Sequence, residues 1–473
     1  MSIQLKSKFK RRKIAESELS VFTVGSSNID DVINSIVRKA NAPRFLVVDL
    51  FCGAGGTSTG FEMTDGRAQV IACVNHDYMA IKSHWRNYPH IAHFEEDIRT
   101  LELAPLVKLL NHYRMLYPEA KVILWASLEC TNFSKAKGGQ PRDADSRTLA
   151  DHLDRYITAL NPDYVQIENV VEFMSWGPLD ENGKPVSRKN GTDWMRWRNH
   201  INSFGYYDEW REMNSADYGA YTSRNRLFGC FAKHGLPIAW PAPTHAKKPN
   251  MGSMFDTPLQ KWKAVKDVLD FSDEGKSIFN RNKPLCDKTL EVIATGLIKC
   301  LQSNEPGFLF KYYGNGDNIN ELDRPAGTIT TKDRFALILR QYKRGFTTSI
   351  SEPIGALPTN PKANLVTFIM NKSHGGHTTS TDQPCPVIVA RQDKAPLYFI
   401  RAIMDANGIA DITMRMLKVM ELLPIQGFPV GFQLEGSQAD QKKFIGNSVV
   451  PLVVKRWCLA LDGKLSDDLL KVA

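Results

Sequence analysis

The chain of 473 residues exceeds the size at which one hydrophobic core stays compact, so two or three domains are expected. Its 42% hydrophobic and 23% charged content is that of a globular protein, without the run of about 18 apolar residues that a membrane-spanning helix needs. Met1-Ser-Ile-Gln-Leu-Lys lacks the apolar stretch of a secretory leader, and the formal net charge of +9 suits a polyanionic partner.

Residues 1–42 open with a basic arm, Lys6, Lys8, Lys10, Arg11, Arg12 and Lys13, which reads either as touching phosphates or as a solvated tail. From 43 to 248 short apolar runs alternate with amphipathic segments. RFLVVDLF (44–51), AQVIACV (68–74), KVILWAS (121–127) and DYVQIENV (163–170) read as buried strands. APLVKLLNHYRMLY (104–117) and SRTLADHLDRYITAL (146–160) carry apolar residues at helical spacing. That alternation predicts an α/β domain with a largely parallel, Rossmann-like sheet, whose ligands bind beyond the carboxyl ends of the strands. From 249 to 403 the character changes to short strands broken by Pro, Gly, Asn and Asp. A loose repeat lies there, in DRPAGTITTKDRFALI (323–338), SEPIGALPTNPKANLV (351–366) and DQPCPVIVARQDKAPL (382–397). Residues 404–473 return to helix, with a packed stripe in PLVVKRWCLALDG (451–463).

The eight cysteines, Cys52, Cys73, Cys130, Cys230, Cys286, Cys300, Cys385 and Cys458, form no C-x-x-C pair. Their scatter argues against a zinc site and a disulfide scaffold, and suits a reducing cytoplasm in which any of them is available as a thiol.

The chemistry-bearing motifs sit at predicted strand ends. Asp49-Leu50-Phe51-Cys52-Gly53-Ala54-Gly55-Gly56 follows the first strand, where glycines let backbone approach a ligand, but no Gly-Lys-Ser/Thr follows to make a phosphate loop. KVILWAS leads into Leu128-Glu129-Cys130-Thr131-Asn132, a thiol near a helix start and basic groups. Glu168-Asn169-Val170 puts a carboxyl group at the next edge, a candidate acid. In Ser223-Arg224-Asn225-Arg226 two arginines at i and i+2 are expected on one face of a strand.

In this order, and with Gln426-Gly-Phe-Pro and Gly446-Asn447-Ser448-Val449 near the end, these motifs resemble the cytosine-5 DNA methyltransferase family of bacterial or phage type, in a Glu-Cys-Thr-Asn variant of its nucleophile motif. The resemblance covers Arg44 to Trp240 and Thr413 to Asp462. It implies a methyltransferase fold carrying a catalytic and cofactor-binding domain (43–248), a smaller β-rich target-recognition domain (249–403) and a C-terminal part (404–473) closing back on the first. It implies a DNA (cytosine-5-)-methyltransferase that flips its target base out of the duplex, uses S-adenosylmethionine, and acts as a cytoplasmic monomer on double-stranded DNA, with any restriction endonuclease a separate protein.

By the same resemblance Cys130 is the nucleophile, Glu168 holds or protonates the base, Arg226 contacts the cytosine carbonyl, and Arg224 braces the site or a phosphate. Phe51, Gly53, Gly55, Asn75, Asp77, Asp97, Ile98, Asn447 and Ser448 are the cofactor residues, and no metal is implied. Three positions depart from the family pattern: Glu129 stands where proline precedes the nucleophile, Asn75 stands for the acidic ribose ligand, and Tyr221-Thr222 for Pro-Gln. A related class modifies cytosine in transfer RNA without a large recognition region, and the roughly 150 residues between the catalytic parts favour DNA.

Overall fold

The computed structural model describes residues 23–128, residues 149–249 without 179, 182–185 and 188–189, parts of 258–294, the strand backbones between 308 and 411, and residues 412–472. The basic arm, Glu129 and Cys130 lie outside the described residues.

The first part of the chain alternates as its apolar pattern predicts. Its elements are Ile29–Asn34 (α1), Phe45–Leu50 (β1), Gly56–Glu62 (α2), Ala68–Asn75 (β2), Tyr78–Asn87 (α3), Ala92–Glu95 (β3) and Leu103–Leu116 (α4). Lys121–Ser127 (β4), Leu153–Leu160 (α5), Tyr164–Asn169 (β5), Thr192–Asn202 (α6), Tyr206–Asn214 (β6) and Asn225–Lys233 (β7) follow. The seven strands form one sheet in the order β3-β2-β1-β4-β5-β7-β6. The β3-β2-β1-β4-β5 pairings are parallel, and β7 runs antiparallel to both of its neighbours. The chain leaves β1 in one direction and returns to β4 on its other side, which opens a crevice at the carboxyl ends of those strands. This is the arrangement of the S-adenosylmethionine-dependent methyltransferase fold. Strand β3, just four residues long, is not among the expected strands, and the described part of the segment 146–160 opens with a 3-10 turn at Leu149–His152 before the helix from Leu153.

Both faces of the sheet are covered, which is why β1 is buried throughout. Leu46, Val48 and Leu50 face a core shared with Leu106, Leu109 and Leu153. Phe45 and Val47, alternating with them, face Phe61, Trp125, Val453 and Trp457. The last two residues belong to the C-terminal helices, Val419–Gln426 (α7), Gln438–Asn447 (α8) and Pro451–Val472 (α9). Among the described residues one stretch, within Gln438–Asp468, has the length and apolarity to cross a membrane, and most of it is buried in the protein.

The α2–α9 joint is unusually close. A Cβ on Gly60 would lie 2.5 Å from Val454 Cβ and 2.6 Å from the Pro451 oxygen, and one on Gly56 would lie 2.5 Å from the Val449 oxygen. Spaced four apart, the two glycines share a helix face and let the C-terminal segment approach the backbone of α2.

Further strands are His245–Ala246 (β8) with Gln260–Lys261 (β9), then Lys276–Ser277 (β10), Phe308–Tyr313 (β11), Ile319–Glu321 (β12), Ile329–Thr331 (β13), Phe335–Leu337 (β14) and Asn364–Asn371 (β15). Gly375–Thr379 (β16), Val387–Ala390 (β17), Leu397–Asp405 (β18) and Gly408–Met416 (β19) complete them. Eight of them form a second sheet, β10-β19-β18-β15-β14-β11-β12-β16. The repeat appears in its pairing: β14, β15 and β18 begin 10, 11 and 13 residues after Pro325, Pro353 and Pro384, and each pairs with the other two. Likewise β13 of the first copy pairs in parallel with β17 of the third. The expected boundary at 403 falls inside β18, and this sheet runs on to Met416.

Candidate active site

Beyond the end of β1 the backbone turns through left-handed conformations, with φ of 59° at Phe51, 54° at Gly53 and 110° at Gly55. A side chain on Gly53 would meet no atom within 4 Å, so the glycine answers to the hand of the backbone, and the space over it is open. Gly55 differs, since its Cβ would lie 3.1 Å from His84.

The neighbouring strand ends supply polar groups. Asn75 Oδ1 accepts from the Asp77 backbone N–H at 2.9 Å. The Asp77 carboxylate caps α3 by accepting from the N–H groups of Met79 and Ala80, and its other oxygen pairs with Lys443 Nζ at 2.8 Å. Asp77 is therefore already engaged, and the Asn75 amide is the less committed of the two. After β3, the Ile98 carbonyl accepts from Arg155 and from the Tyr156 hydroxyl, at 2.8 and 2.9 Å, which fixes the turn bearing Asp97. Partial burial acts to raise the Asp97 carboxyl, but hydrogen bonds and charge from Arg99 outweigh it and hold the group below the usual carboxylate range. Asp97 is thus an acceptor at neutral pH.

The C-terminal motif reaches the same region. Ser448 is buried, its hydroxyl donating to the Phe444 carbonyl and its own carbonyl accepting from Gln426 Nε2 at 2.8 Å. Its Cβ lies 3.0 Å from where a Gly56 Cβ would stand, whereas Asn447 is exposed. An open glycine turn, an ionised acceptor and an amide, gathered at the ends of β1, β2 and β3, fit a nucleoside cofactor such as S-adenosylmethionine.

The second half of the site lies across β1 from these groups. Ser127, the last residue of β4, stands beside Glu168 in parallel register, and Leu128 then leads out toward Cys130. Glu168 is 6% exposed. It pairs with Phe228 in β7, so Arg226, two residues along, is its diagonal neighbour on the same face. Arg226 Nε lies 3.3 Å from Glu168 Oε1, and Arg226 Nη1 donates to the Asn225 carbonyl. Arg224 precedes β7; it is 3% exposed and donates to the Gly446 carbonyl at 3.0 Å. The two arginines thus differ in partner, Arg226 lying on the strand and Arg224 just before it. Thr222, at one of the departures, is fully buried with its hydroxyl unpartnered among the described residues.

Sequence reasoning missed Lys443, whose partner is distant in the chain, and the role of Gln426, which its Gln-Gly-Phe motif marked without explaining. It also missed Glu421, which accepts from two nitrogens of Arg415 at 2.9 Å and ties the end of β19 to the start of α7.

A family profile described as C-5 cytosine-specific DNA methylase matches residues 45–461. The type II methyltransferase M.AgeI of Thalassovita gelatinovora is 23% identical over 445 residues, covering 86% of this chain and 96% of that protein. M.HgiCII of Herpetosiphon aurantiacus is 24% identical over 472 residues, covering 90% and 97%. M.XorII of Xanthomonas oryzae pv. oryzae is 29% identical over 203 residues, a match spanning 42% of this chain and 43% of that relative. The chain belongs to the C-5 cytosine-specific DNA methylase family, and its reaction is transfer of a methyl group from S-adenosylmethionine to carbon 5 of cytosine in DNA.

Proposed function

We propose that this methyl transfer runs through a covalent bond between the Cys130 sulfur and carbon 6 of a cytosine flipped out of the duplex. The observation that carries the reading is the buried Glu168–Arg226 pair at the end of β5, beside the strand that leads to Cys130. Attack by the Cys130 thiolate pushes electron density into the ring, and Glu168 hydrogen-bonds to or protonates ring N3 so that negative charge does not accumulate. Arg226 holds Glu168 in place and offers its remaining N–H groups to the cytosine carbonyl, a planar fork suited to such an oxygen. Carbon 5 thereby becomes nucleophilic. S-adenosylmethionine, when bound, supplies an electrophilic methyl group at that position. A base then takes the carbon 5 proton, the pair from that carbon–hydrogen bond restores the ring double bond, and the carbon–sulfur bond breaks with its pair returning to Cys130 as thiolate. Flipping is required because neither ring face is accessible within the stack.

Phe51, Gly53, Gly55, Asn75, Asp97, Ile98, Asn447 and Ser448 hold the cofactor in this reading, and Asp77 positions α3 rather than touching it. Arg224, through Gly446, fixes the segment that carries Asn447 and Ser448. Region 249–403 reads a short DNA sequence. The resemblance to type II methyltransferases supports a protective role in a bacterial or phage-infected cytoplasm beside a separate endonuclease, with the enzyme acting as a monomer. Duplex DNA containing 5-fluorocytosine tests the chemistry, because fluorine cannot leave as the proton does. With S-adenosylmethionine the wild-type protein forms an adduct stable to denaturation, and Cys130→Ser does not; an adduct that persists in the serine variant removes Cys130 from the reaction.

A further inference from the structure

Five side chains that the methyl-transfer chemistry does not use converge behind the glycine turn. Asp49, Cys73 and His93 are lateral neighbours across β1, β2 and β3, Asp49 pairing with Cys73 and Cys73 with His93. Cys52 follows β1, and His84 reaches in from α3. Relative exposure is 5% for Cys52, 0% for Cys73 and His84, and 1% for His93, so no solvent satisfies these groups.

We propose that Cys52, Cys73 and His84, with His93 beside them, form a site for a soft divalent cation of the zinc type, stapling together the strand ends that present the cofactor residues. One ligand atom from each of Cys52, Cys73 and His84 lies within 4.8 Å of the others. Cys73 Sγ is 3.7 Å from His84 Nδ1, and His93 Nε2 is 2.9 Å from that same nitrogen. In a tetrahedral zinc site, bonds of about 2.3 Å to sulfur and about 2.0 Å to nitrogen separate neighbouring ligands by ~3.3–3.8 Å. The Cys73–His84 spacing meets that value.

Without a cation, His93 Nε2 can donate to His84 Nδ1 while Cys73 bonds to Cys52. A ring nitrogen carries one hydrogen or one lone pair, so His84 Nδ1 cannot satisfy Cys73 and His93 together. A cation held by Cys52, Cys73 and His84 takes that nitrogen's lone pair, and two thiolates neutralise its double charge in a buried site. The groups behind His84 have the order a metal-bound imidazole requires. With Nδ1 on the cation, Nε2 keeps its hydrogen and donates to Ser58 Oγ at 2.9 Å, and Ser58 donates to Asp49 Oδ2 at 2.8 Å. Binding releases the two thiol protons to solvent and leaves every oxidation state unchanged. The spacing along the chain has no C-x-x-C signature, which is why the sequence argued against zinc.

Full-length protein, stripped with chelator under reducing conditions and titrated with cobalt chloride, tests the site. About one equivalent is expected to bind, with the visible bands of tetrahedral cobalt and a near-ultraviolet thiolate band. Zinc chloride should displace the cobalt and raise the melting temperature. Cys130→Ser should keep the spectrum, Cys73→Ser should lose it, and Ser58→Ala, which leaves every ligand in place, should weaken binding ~10–100-fold. If Cys73→Ser does not fold, the wild-type titration with and without prior alkylation of its thiols still decides. Absence of a thiolate band together with no zinc-dependent melting shift overturns the proposal, as does a Cys52–Cys73 disulfide in freshly isolated protein.

Discussion

Replacing Gly60 by alanine sets helix propensity against packing at the joint between α2 and α9. In an open helix the exchange stabilises by about 0.5–1 kcal/mol, since glycine loses more backbone freedom on folding. Here the new methyl group would lie 2.5 Å from Val454 Cβ and 2.6 Å from the Pro451 oxygen. Carbon contacts are most favourable at about 3.5–4.0 Å, so the helices must separate by up to an ångström. Overpacking of this kind costs ~1–3 kcal/mol, and the net expectation is destabilisation by about 1 kcal/mol. The damage also travels. Gly56 on the same face meets Ser448 and Val449, so a displaced α9 shifts the segment that closes the cofactor site. Urea unfolding should show a lowered midpoint with unchanged slope, and calorimetric titration should show weaker binding of S-adenosylmethionine. Adding Val454→Ala should recover part of both. A Gly60→Ala protein as stable as the wild type, or more so, would refute the close packing of these helices.

Glu168→Gln keeps the shape of the side chain but removes its charge and acidity; turnover should fall ~10²–10⁴-fold with cofactor affinity retained, as steady-state assay and titration together would show. Asp77→Ala removes the cap of α3 and the partner of Lys443, and should cost about 1 kcal/mol in urea unfolding, with Asp77→Asn recovering most of it. Asp97 tests the sign of a linkage. Its folded carboxyl is held below the unfolded value, so its contribution is fully present above about pH 4 and is lost as pH falls through the lower folded value. The stability difference between wild type and Asp97→Asn should therefore stay constant from neutrality to about pH 5 and shrink below about pH 4; a difference that grows on acidification contradicts the Arg99 pairing.

The parallel sheet and the ends of its strands were legible because their signals are local. Four apolar runs, the glycines after β1 and the stripe of α9 each report a conformation that neighbouring residues set. The order of motifs, from the glycine turn through Glu168 to Asn447, carried the family resemblance. Strand β3 escaped notice because four residues make too short a pattern, although it delivers both Asp97 and His93.

Other features were decided only by the tertiary structure, because they depend on which strands become neighbours. Arg224 and Arg226 look equivalent at i and i+2, yet one ends on Gly446 and the other on Glu168, since β7 begins between them. Asp77 is among the cofactor residues that the sequence suggests, whereas its carboxylate caps α3 and pairs with Lys443, 366 residues away. The scattered cysteines argued against a metal site while separation along the chain was the only measure of distance. Parallel pairing of β1, β2 and β3, with α3 laid over them, brings Cys52, Cys73, His84 and His93 into one buried cluster. Local sequence determined what each segment becomes; sheet register, set by burial across the whole core, decided which side chains meet.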